Sequence, residues 1–265
     1  MQYKGVLKKM LTELNDVVHY YLDFDNDFLN LNQIMDREIK ISFDGYQCMC
    51  CGKEKKIFRQ GFCYDCFYES AQVGDWIMRP ELSKAHLGIA DRDLDYEKQV
   101  QLQPHIVYLA LSSNVKVGVT RKTQVPTRWI DQGATKAIEI VEVPNRYLAG
   151  ITELALKEFV SDKTSWQKML KNEVLAADLI EEREKLKIHI PKEAQPYFLD
   201  NNSKITEIEY PVMKYPSKIK TLNLDKTPMY SGKLKGVKGQ YLLFDDATVF
   251  NVRNSEGYKV IVNIK

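Results

Sequence analysis

A chain of 265 residues with 44% hydrophobic residues is long enough to bury a sizeable core, so a bound metal would not be its only source of stability. Charged residues make up 28% of the chain and it has only 9 prolines, which argues against a disordered or fibrous protein. No stretch approaches the roughly 18 uncharged residues that a membrane span needs, and the first 24 residues lack the apolar core of a signal peptide. We therefore expect a globular, cytoplasmic protein without a membrane partner.

Residues 1–47 carry few chemical signals. Apolar spacing predicts a short helix over residues 6–17, and alternation of apolar and polar residues predicts a strand over residues 38–43. Residues 46–69 contain every cysteine of the chain. The pattern of residues 70–104 predicts an irregular connector. The chemistry of this part therefore lies in the cysteine-rich module.

The cysteine-rich module has the spacing of a zinc site. Cys48 and Cys51 form one pair separated by two residues, Cys63 and Cys66 form a second, and eleven residues lie between the pairs. Two such pairs each wrap one edge of a tetrahedron of thiolates, and Gly52 after the first pair suits the tight turn. Because a closed four-thiolate site leaves no open position for substrate, the sequence predicts a structural Zn²⁺ rather than a catalytic one.

Cys50 complicates this assignment. It could replace a neighbouring cysteine as a ligand, although the single residue that separates it from Cys48 makes a poorer turn around the metal. The alternative is that Cys50 is simply a small residue within the turn. Both interpretations stay open in the sequence.

Basic and aromatic residues alternate within the same module. This pattern suits phosphate contact and base stacking, but aromatic residues in so small a module are equally suited to form its core. The residues concerned are Lys53, Lys55, Lys56, Arg59, Phe58, Phe62, Tyr64, Phe67 and Tyr68.

From residue 105 the pattern sharpens into alternating elements. Strands are predicted over residues 106–111 and 115–119, joined as a hairpin, and over residues 137–143. Helices are predicted over residues 126–132 and 145–160, so the order is β-β-α-β-α.

A second long helix is predicted next. Thr164 and Gln167 have the spacing of a capping box, and an apolar stripe continues from there to a charged end near Lys187. Further along, short strands separated by turn residues predict a small barrel or sandwich. These strands are expected over residues 204–210, 232–237, 240–244, 248–252 and 258–264.

A local basic excess lies within the β-β-α-β-α segment, where residues 116–136 carry five basic residues against the single acidic Asp131. A basic cluster suits an anionic partner, although short basic stretches are also common on solvated surfaces. The candidates for nucleic-acid contact in this stretch are Arg121 and Lys122.

The same segment resembles the GIY-YIG endonuclease module in the order and spacing of its elements. The resemblance covers residues 105–160. It is carried by the strand Ile106-Val107-Tyr108-Leu109-Ala110, the strand Lys116-Val117-Gly118-Val119-Thr120, Arg128 in the first helix and Glu153 in the second. The whole chain, with its upstream cysteines and the downstream segment Lys235-Gly236-Val237-Lys238-Gly239-Gln240-Tyr241-Leu242, also resembles a bacterial family of uncharacterised proteins.

The resemblance implies a separate role for each catalytic residue. Tyr108 would lie at the centre of the hydrolytic site, and Arg128 would stabilise charge on the phosphate being cleaved. Glu153 would be the single carboxylate that holds a divalent cation, Mg²⁺ or Mn²⁺. These residues would form one site if both strands lie side by side and the helices pack against them.

The chain departs from the family pattern at two positions. Lys116 stands where the second motif has tyrosine, and Gln132 stands where many members have histidine. A lysine could neutralise a phosphate oxygen, or act as a base if Arg128 depresses its pKa, or mark a site that no longer cuts.

Each candidate also has an ordinary structural interpretation. Tyr108 would then be a tyrosine of a buried strand, Arg128 would pair with Asp131, and Glu153 would pair with Lys157 one helical turn away. The sequence alone leaves these alternatives in place.

The sequence thus predicts an α+β protein of three regions. These are an N-terminal zinc-ribbon-like region over 1–104, a GIY-YIG-like module with a long helix over 105–190, and a small barrel-like all-β domain over 191–265. The predicted function is nucleic-acid binding, with divalent-metal-dependent phosphodiester cleavage if the site is active. The alternatives are a non-catalytic nucleic-acid-binding module and a protein-interaction scaffold without nucleic acid.

Overall fold

The computed structural model describes residues 1–24, 27–160, 165–201 and 203–265. Within these ranges the strands are β1 (Gln2–Val6), β2 (Leu11–Glu13), β3 (His19–Asp23), β4 (Phe28–Asn30), β5 (Glu38–Tyr46), β6 (His105–Leu111), β7 (Val115–Arg121), β8 (Lys136–Val143), β9 (Thr206–Glu207), β10 (Lys220–Thr221), β11 (Met229–Lys238), β12 (Tyr241–Phe244), β13 (Thr248–Asn251) and β14 (Tyr258–Ile264). The α-helices are α1 (Tyr64–Glu69), α2 (Leu94–Gln101), α3 (Thr127–Asp131), α4 (Arg146–Leu156), α5 (Trp166–Leu170) and α6 (Leu179–Leu186). The mixture of helices and sheets confirms the predicted α+β class.

The chain divides into two compact units. The β unit comprises Met1–Tyr68, Ile130–Gly133 and Ile208–Lys265, and the α/β unit comprises Glu69–Trp129 and Ala134–Glu207. The predicted three regions are therefore grouped differently in the structure, because the N-terminal strands and the C-terminal strands share one sheet. No helix in the described ranges has the length and apolar character needed to cross a membrane.

The β unit is built on a seven-stranded sheet with the order β1-β14-β5-β11-β12-β13-β10. Strand β1 pairs antiparallel with β14, so that Gly5 lies opposite Val260, and β5 lies between β14 and β11. The strands expected over 232–237, 240–244, 248–252 and 258–264 are confirmed as β11 to β14. They do not close a domain of their own, because β1 and β5 complete their sheet.

The predicted helix over residues 6–17 is wrong. Strand β1 ends at Val6, β2 follows at Leu11–Glu13, and no helix lies between them. Leu7 and Met10 are nevertheless buried, with 2% and 0% of their surface exposed. Their helix-like spacing therefore reflects packing of an irregular segment into the core rather than a helical face.

A second sheet of the β unit has the order β2-β3-β4. Apolar side chains from both sheets and the segments between them line a common core, which forms because each strand turns its apolar residues to one side. The residues that line it are Leu7, Leu22, Leu29, Leu31, Ile39, Ile41, Leu242, Phe250, Val252 and Val262.

The α/β unit is built on a four-stranded sheet with the order β7-β6-β8-β9. Strand β6 is central and pairs antiparallel with both β7 and β8. The elements β6, β7, α3, β8 and α4 follow in the predicted β-β-α-β-α order. One face of the sheet forms the apolar core of the unit with side chains of α4 and α6, among them Leu109, Val117, Ala149, Leu156 and Leu186.

The predicted long helix after residue 164 is wrong as a single element. The structure has two short helices, α5 and α6, with Lys171 to Asp178 between them. Asn172, just after the end of α5, takes a left-handed conformation with φ 59°. The side chain of Asp178 caps the start of α6. Thr164, the first residue of the predicted capping box, lies outside the described residues.

The connector before β6 is more regular than predicted. It contains α2, whose first turn is capped by the side chain of Asp93, and several short 3₁₀ helices, one of them at Pro80–Leu82. Gly150 of α4 lies against this 3₁₀ helix, because a Cβ at residue 150 would stand 2.2 Å from the backbone nitrogen of Glu81. The connector is therefore part of the α/β unit and packs on the helix that carries Glu153.

Candidate functional site

The four predicted zinc ligands converge. The Sγ atoms of Cys48, Cys51, Cys63 and Cys66 all lie within 4.8 Å of one another. A zinc ion bound to four thiolates at about 2.3 Å each needs sulfur atoms about 3.8 Å apart. The cluster is therefore compatible with a structural zinc ion. All four of the atoms that would bind the ion are soft sulfur donors, which zinc accepts.

The backbone around the cysteines has the tight turns that the spacing predicts. Gly52 has φ +69° and its N–H donates to the carbonyl of Cys48 at 2.9 Å, which closes the first turn. The second pair begins just before α1, with Cys66 one turn into that helix. Gly61 has φ +79°, where a Cβ would stand 2.4 Å from the sulfur of Met49, so only glycine fits between the two turns.

Burial and hydrogen bonds prepare the sulfur atoms for a cation. Burial raises the pKa of Cys48, but the N–H groups of Cys51, Cys63 and Cys50 outweigh it and lower the pKa to about 6. One of these bonds, from Cys63 N–H to Cys48 Sγ, measures 3.2 Å. Burial and the neighbouring sulfurs raise the pKa of Cys66, the expected result of crowding four thiols together.

Cys50 does not belong to this cluster. Its side chain is exposed, as is that of Cys51, and its thiol interacts with Cys66 at the edge of the cluster. The sulfur atoms that lie within 4.8 Å of one another belong to the other four cysteines. The interpretation of Cys50 as a small residue within the turn therefore fits the structure better.

Tyr108 and Lys116 lie on the same face of the α/β sheet. Tyr108 is directly opposite Gly118, and Lys116 is opposite Ala110, so the two residues are diagonal neighbours across β6 and β7. Side chains in this relation are typically about 7–8 Å apart and on one face. Tyr108 is fully buried and its ring packs edge to face on Trp129, with ring centroids 5.8 Å apart.

Arg128 and Glu153 contribute to the electrostatic environment of Lys116. Burial and, to a smaller extent, the charge of Arg128 lower the pKa of Lys116, Glu153 opposes them, and the net result is a pKa of about 8. Arg128 lies on α3, next to Trp129, and is close enough to Lys116 for its charge to act on the lysine. The structure therefore brings Arg128 and Glu153 within electrostatic range of Lys116, which shares its face of the sheet with Tyr108.

Glu153 is mostly enclosed. Its side chain is 13% exposed and its carboxylate lies 3.4 Å from the ammonium of Lys157, the helical pair expected from their spacing. Burial raises its pKa, and the cations of Lys157 and Arg146 act in the opposite direction. The carboxylate therefore faces several cationic side chains.

Two charged residues near Glu153 were missed in the sequence. Arg146 lies seven residues before Glu153, so both lie on the same side of α4, and it donates to the carbonyls of Trp76 and Ile77 at 3.0 and 2.8 Å. Glu81, in the 3₁₀ helix packed on Gly150, raises the pKa of Glu153. The seven-residue spacing would have indicated Arg146, but no local pattern indicates Glu81.

The remaining charged residues singled out in the sequence interact with other charged side chains. Lys122 donates to both carboxylate oxygens of Glu142, at 2.7 and 2.8 Å, so its charge is partly neutralised. Arg121, opposite His105 in the strand pairing, is partly exposed and lowers the pKa of Arg146. Asp131, proposed above as a partner of Arg128, pairs instead with Lys9 at 2.6 Å.

The family model described as "Protein of unknown function (DUF2797)" matches residues 36–260 of the chain. This range contains the four clustered cysteines as well as Tyr108, Lys116, Arg128 and Glu153. No curated protein and no solved structure matches the chain significantly. The expected link to an uncharacterised family is thus confirmed, and the resemblance to GIY-YIG endonucleases stays a prediction.

Proposed function

Because this chain belongs to DUF2797, a protein family of unknown function, we propose its activity from its own geometry: a zinc-containing, GIY-YIG-like nucleic-acid-binding protein that hydrolyses phosphodiester bonds. The zinc centre with its ribbon-like turns would be structural. The α/β unit would bind the phosphate and carry out the chemistry. Lys116, Arg128 and Glu153 would form the reactive part of this site, above the buried ring of Tyr108.

The observation that carries the proposal is the environment of Lys116. Burial and the second cation both disfavour the charge of Lys116, and Glu153 offsets them only in part, so a further anion bound there would stabilise the charged lysine. A phosphate group supplies that anion, and the guanidinium of Arg128 can bind it through two hydrogen bonds. The site therefore suits a phosphodiester better than it suits a neutral ligand.

The same environment suits Lys116 to proton transfer. With its pKa lowered to about 8, about a tenth of Lys116 is a neutral amine at pH 7, and this form can accept a proton from an attacking water. Arg128 would stabilise the negative charge that develops on the phosphate. Tyr108, buried over Gly118, would form the floor beneath Lys116 on their shared face of the sheet.

Glu153 is the residue that would hold a divalent cation. A carboxylate is the hard oxygen ligand that Mg²⁺ or Mn²⁺ prefers, and Glu81 lies near enough to influence its pKa. Such a cation would neutralise charge on the phosphate and on the leaving oxygen. Binding would require Glu153 to leave its ion pair with Lys157.

That ion pair favours a second candidate function, a site that binds nucleic acid without cutting it. The negative charge of Glu153 is already balanced by Lys157, Arg146 and Lys116, so a metal cation would be bound less favourably there. In this case Lys116 and Arg128 would hold phosphate and Glu153 would balance their charge.

A cleavage assay separates the two candidates. Zinc-loaded full-length protein is incubated with labelled single-stranded and double-stranded DNA and RNA in Mg²⁺ or Mn²⁺, and products are resolved by denaturing electrophoresis. Cleavage by the wild type and by Lys192→Ala, an exposed lysine of the same unit, together with loss of cleavage in Glu153→Gln, supports hydrolysis. Equal cleavage by Glu153→Gln would refute the site.

Binding without cleavage, weakened by Arg128→Ala and by salt, supports the second candidate. Absence of any binding would leave the protein-interaction scaffold as the remaining hypothesis. Anisotropy of the same labelled oligonucleotides, measured without divalent cations, provides this readout.

A further inference from the structure

The zinc module displays a cluster of exposed aromatic rings. Phe58, Tyr64 and Tyr68 are 41%, 61% and 54% exposed. Their rings touch one another: the centroids of Phe58 and Tyr64 are 5.2 Å apart, and those of Tyr64 and Tyr68 are 4.9 Å apart. Exposed large aromatic side chains gathered in one patch are uncommon on a protein surface and mark an interaction site.

Helix α1 explains why these rings lie together. Tyr64, Phe67 and Tyr68 are spaced three and four residues apart, which places them on neighbouring parts of the helix surface. Cys63 and Cys66 hold the same helix to the metal site. Phe62 alone of the module's aromatics is fully buried, so the core of the module does not need the exposed three.

The charge around the rings is positive. Lys53, Lys56 and Arg59 are exposed, and none of them forms an ion pair within the described part of the chain. The guanidinium carbon of Arg59 lies 5.4 Å from the centroid of the Phe58 ring.

Two acidic residues of the module, Asp65 and Glu54, are held in ion pairs, and Glu69 at the end of α1 remains as a single exposed carboxylate. Asp65 pairs with Lys55 at 2.6 Å, and Glu54 pairs with Lys259 at 2.5 Å. The ring cluster is therefore flanked by uncompensated cations, and its partner should combine flat apolar faces with negative charge.

We propose that this surface, formed by Phe58, Tyr64 and Tyr68 with Lys53, Lys56 and Arg59, binds single-stranded nucleic acid. Unpaired bases stack on the exposed rings while the lysines and the arginine contact the backbone phosphates. A duplex keeps its bases stacked on one another and cannot use the rings in this way. The inference rests on nucleic acid being the partner in the proposed function, and it adds the strand class and a binding surface within the β unit.

The test measures the affinity of zinc-loaded full-length protein for labelled 12-nucleotide single strands and for the matching duplex, by fluorescence anisotropy in buffer without divalent cations. We expect the single strand to bind at least tenfold more tightly than the duplex. The triple variant Phe58→Ala, Tyr64→Ala, Tyr68→Ala should lose at least tenfold in single-strand affinity. Phe28→Ala, which removes a 63% exposed ring elsewhere in the β unit, is the matched control and should bind like wild type.

Two further variants keep the test decisive if the triple variant fails to fold. Tyr64→Phe with Tyr68→Phe retains the rings and should retain affinity. Lys53→Ala, Lys56→Ala, Arg59→Ala leaves the rings in place and should weaken binding, with the slope of log affinity against log salt reduced by about two. Zinc content measured for every variant reports whether the module is intact.

The outcomes separate this inference from the proposed cleavage site. Loss of cleavage in Glu153→Gln bears on the α/β unit, whereas loss of single-strand affinity in the zinc-loaded aromatic variant bears on the aromatic surface, so each proposal has its own variant and its own readout. A zinc-loaded aromatic variant with wild-type single-strand affinity, preference for duplex, or no binding by the wild type would overturn the inference. The last of these results would point to a protein partner for the aromatic patch.

Discussion

Gly118 lies directly beneath the hydroxyl group of Tyr108. A Cβ at residue 118 would stand 2.7 Å from the hydroxyl oxygen and 2.8 Å from the ring carbon that bears it. Tyr108 cannot easily move away, because its ring is fully buried and packs on Trp129. Glycine is thus favoured at residue 118, in the second motif, because Tyr108 of the first motif approaches it closely across two strands.

We therefore predict that Gly118→Ala destabilises the α/β unit by about 1–3 kcal/mol, the usual cost of overpacking a core. Urea unfolding followed by tryptophan fluorescence measures this, because all three tryptophans, Trp76, Trp129 and Trp166, lie in the α/β unit. In a Tyr108→Leu background the added methyl group has room, so the penalty should shrink. An unchanged penalty would show that the clash with Tyr108 is not its cause.

The two charged neighbours of Lys116 should shift its pKa in opposite directions. Arg128 lowers the pKa of Lys116 and Glu153 raises it, so Arg128→Ala should raise this pKa and Glu153→Gln should lower it. The rate of acetylation of Lys116 against pH, measured by mass spectrometry and normalised to Lys192, gives the pKa without any activity assay. The same direction of change in both variants would contradict the arrangement.

This shift also sets the pH dependence of the proposed cleavage. The reactive form of Lys116 is the neutral amine, so the rate should rise with pH and level off above the pKa of about 8. In Arg128→Ala the remaining activity should rise at higher pH than in the wild type. A rate that falls between pH 7 and 9 would exclude Lys116 as the base.

Removal of zinc ligands and removal of Cys50 should have different consequences. Native mass spectrometry should find one zinc ion in the wild type and in Cys50→Ser, because Cys50 is exposed and outside the sulfur cluster. Cys63→Ser with Cys66→Ser should lose the ion and make residues 49–62 sensitive to protease. Loss of zinc in Cys50→Ser, or retention in the double variant, would revise the ligand set.

Local patterns predicted those parts of the fold whose partners are close in sequence. The hairpin of β6 and β7, the glycine stop after α3 at Gly133 and the helix α4 after Asn145 all follow from short-range signals. The clustering of Cys48, Cys51, Cys63 and Cys66 was likewise predictable, because binding a metal ion requires a fixed spacing of its ligands.

Features set by distant contacts could not be predicted in the same way. Strand β1 forms because it pairs with β14 at the other end of the chain. This pairing is not visible in the local sequence, where the apolar spacing of residues 6–17 indicated a helix. Glu81 reaches the surroundings of Glu153 only because the connector packs on Gly150. The Lys116 environment also depends on burial, which a strand pattern does not specify.

His105 offers a test of burial in the α/β unit through its effect on acid stability. Burial lowers its pKa from 6.5 to about 4, Arg146 and Arg121 add to the shift, and a contact with the backbone of Gln103 opposes it. The unfolded chain therefore binds the proton more readily, so this histidine destabilises the folded state as the pH falls from about 6.5 to 4. The loss should reach up to about 3 kcal/mol.

His105→Gln should remove this contribution. We expect the variant to lose less stability than the wild type between pH 7.5 and pH 4.5, in urea unfolding followed by tryptophan fluorescence. Other groups that titrate in this range do so in both proteins, so the difference between the two slopes isolates His105. His86→Gln, which replaces an exposed histidine of the same unit, should keep the wild-type slope; an identical slope in His105→Gln would show that His105 is not buried as a neutral group.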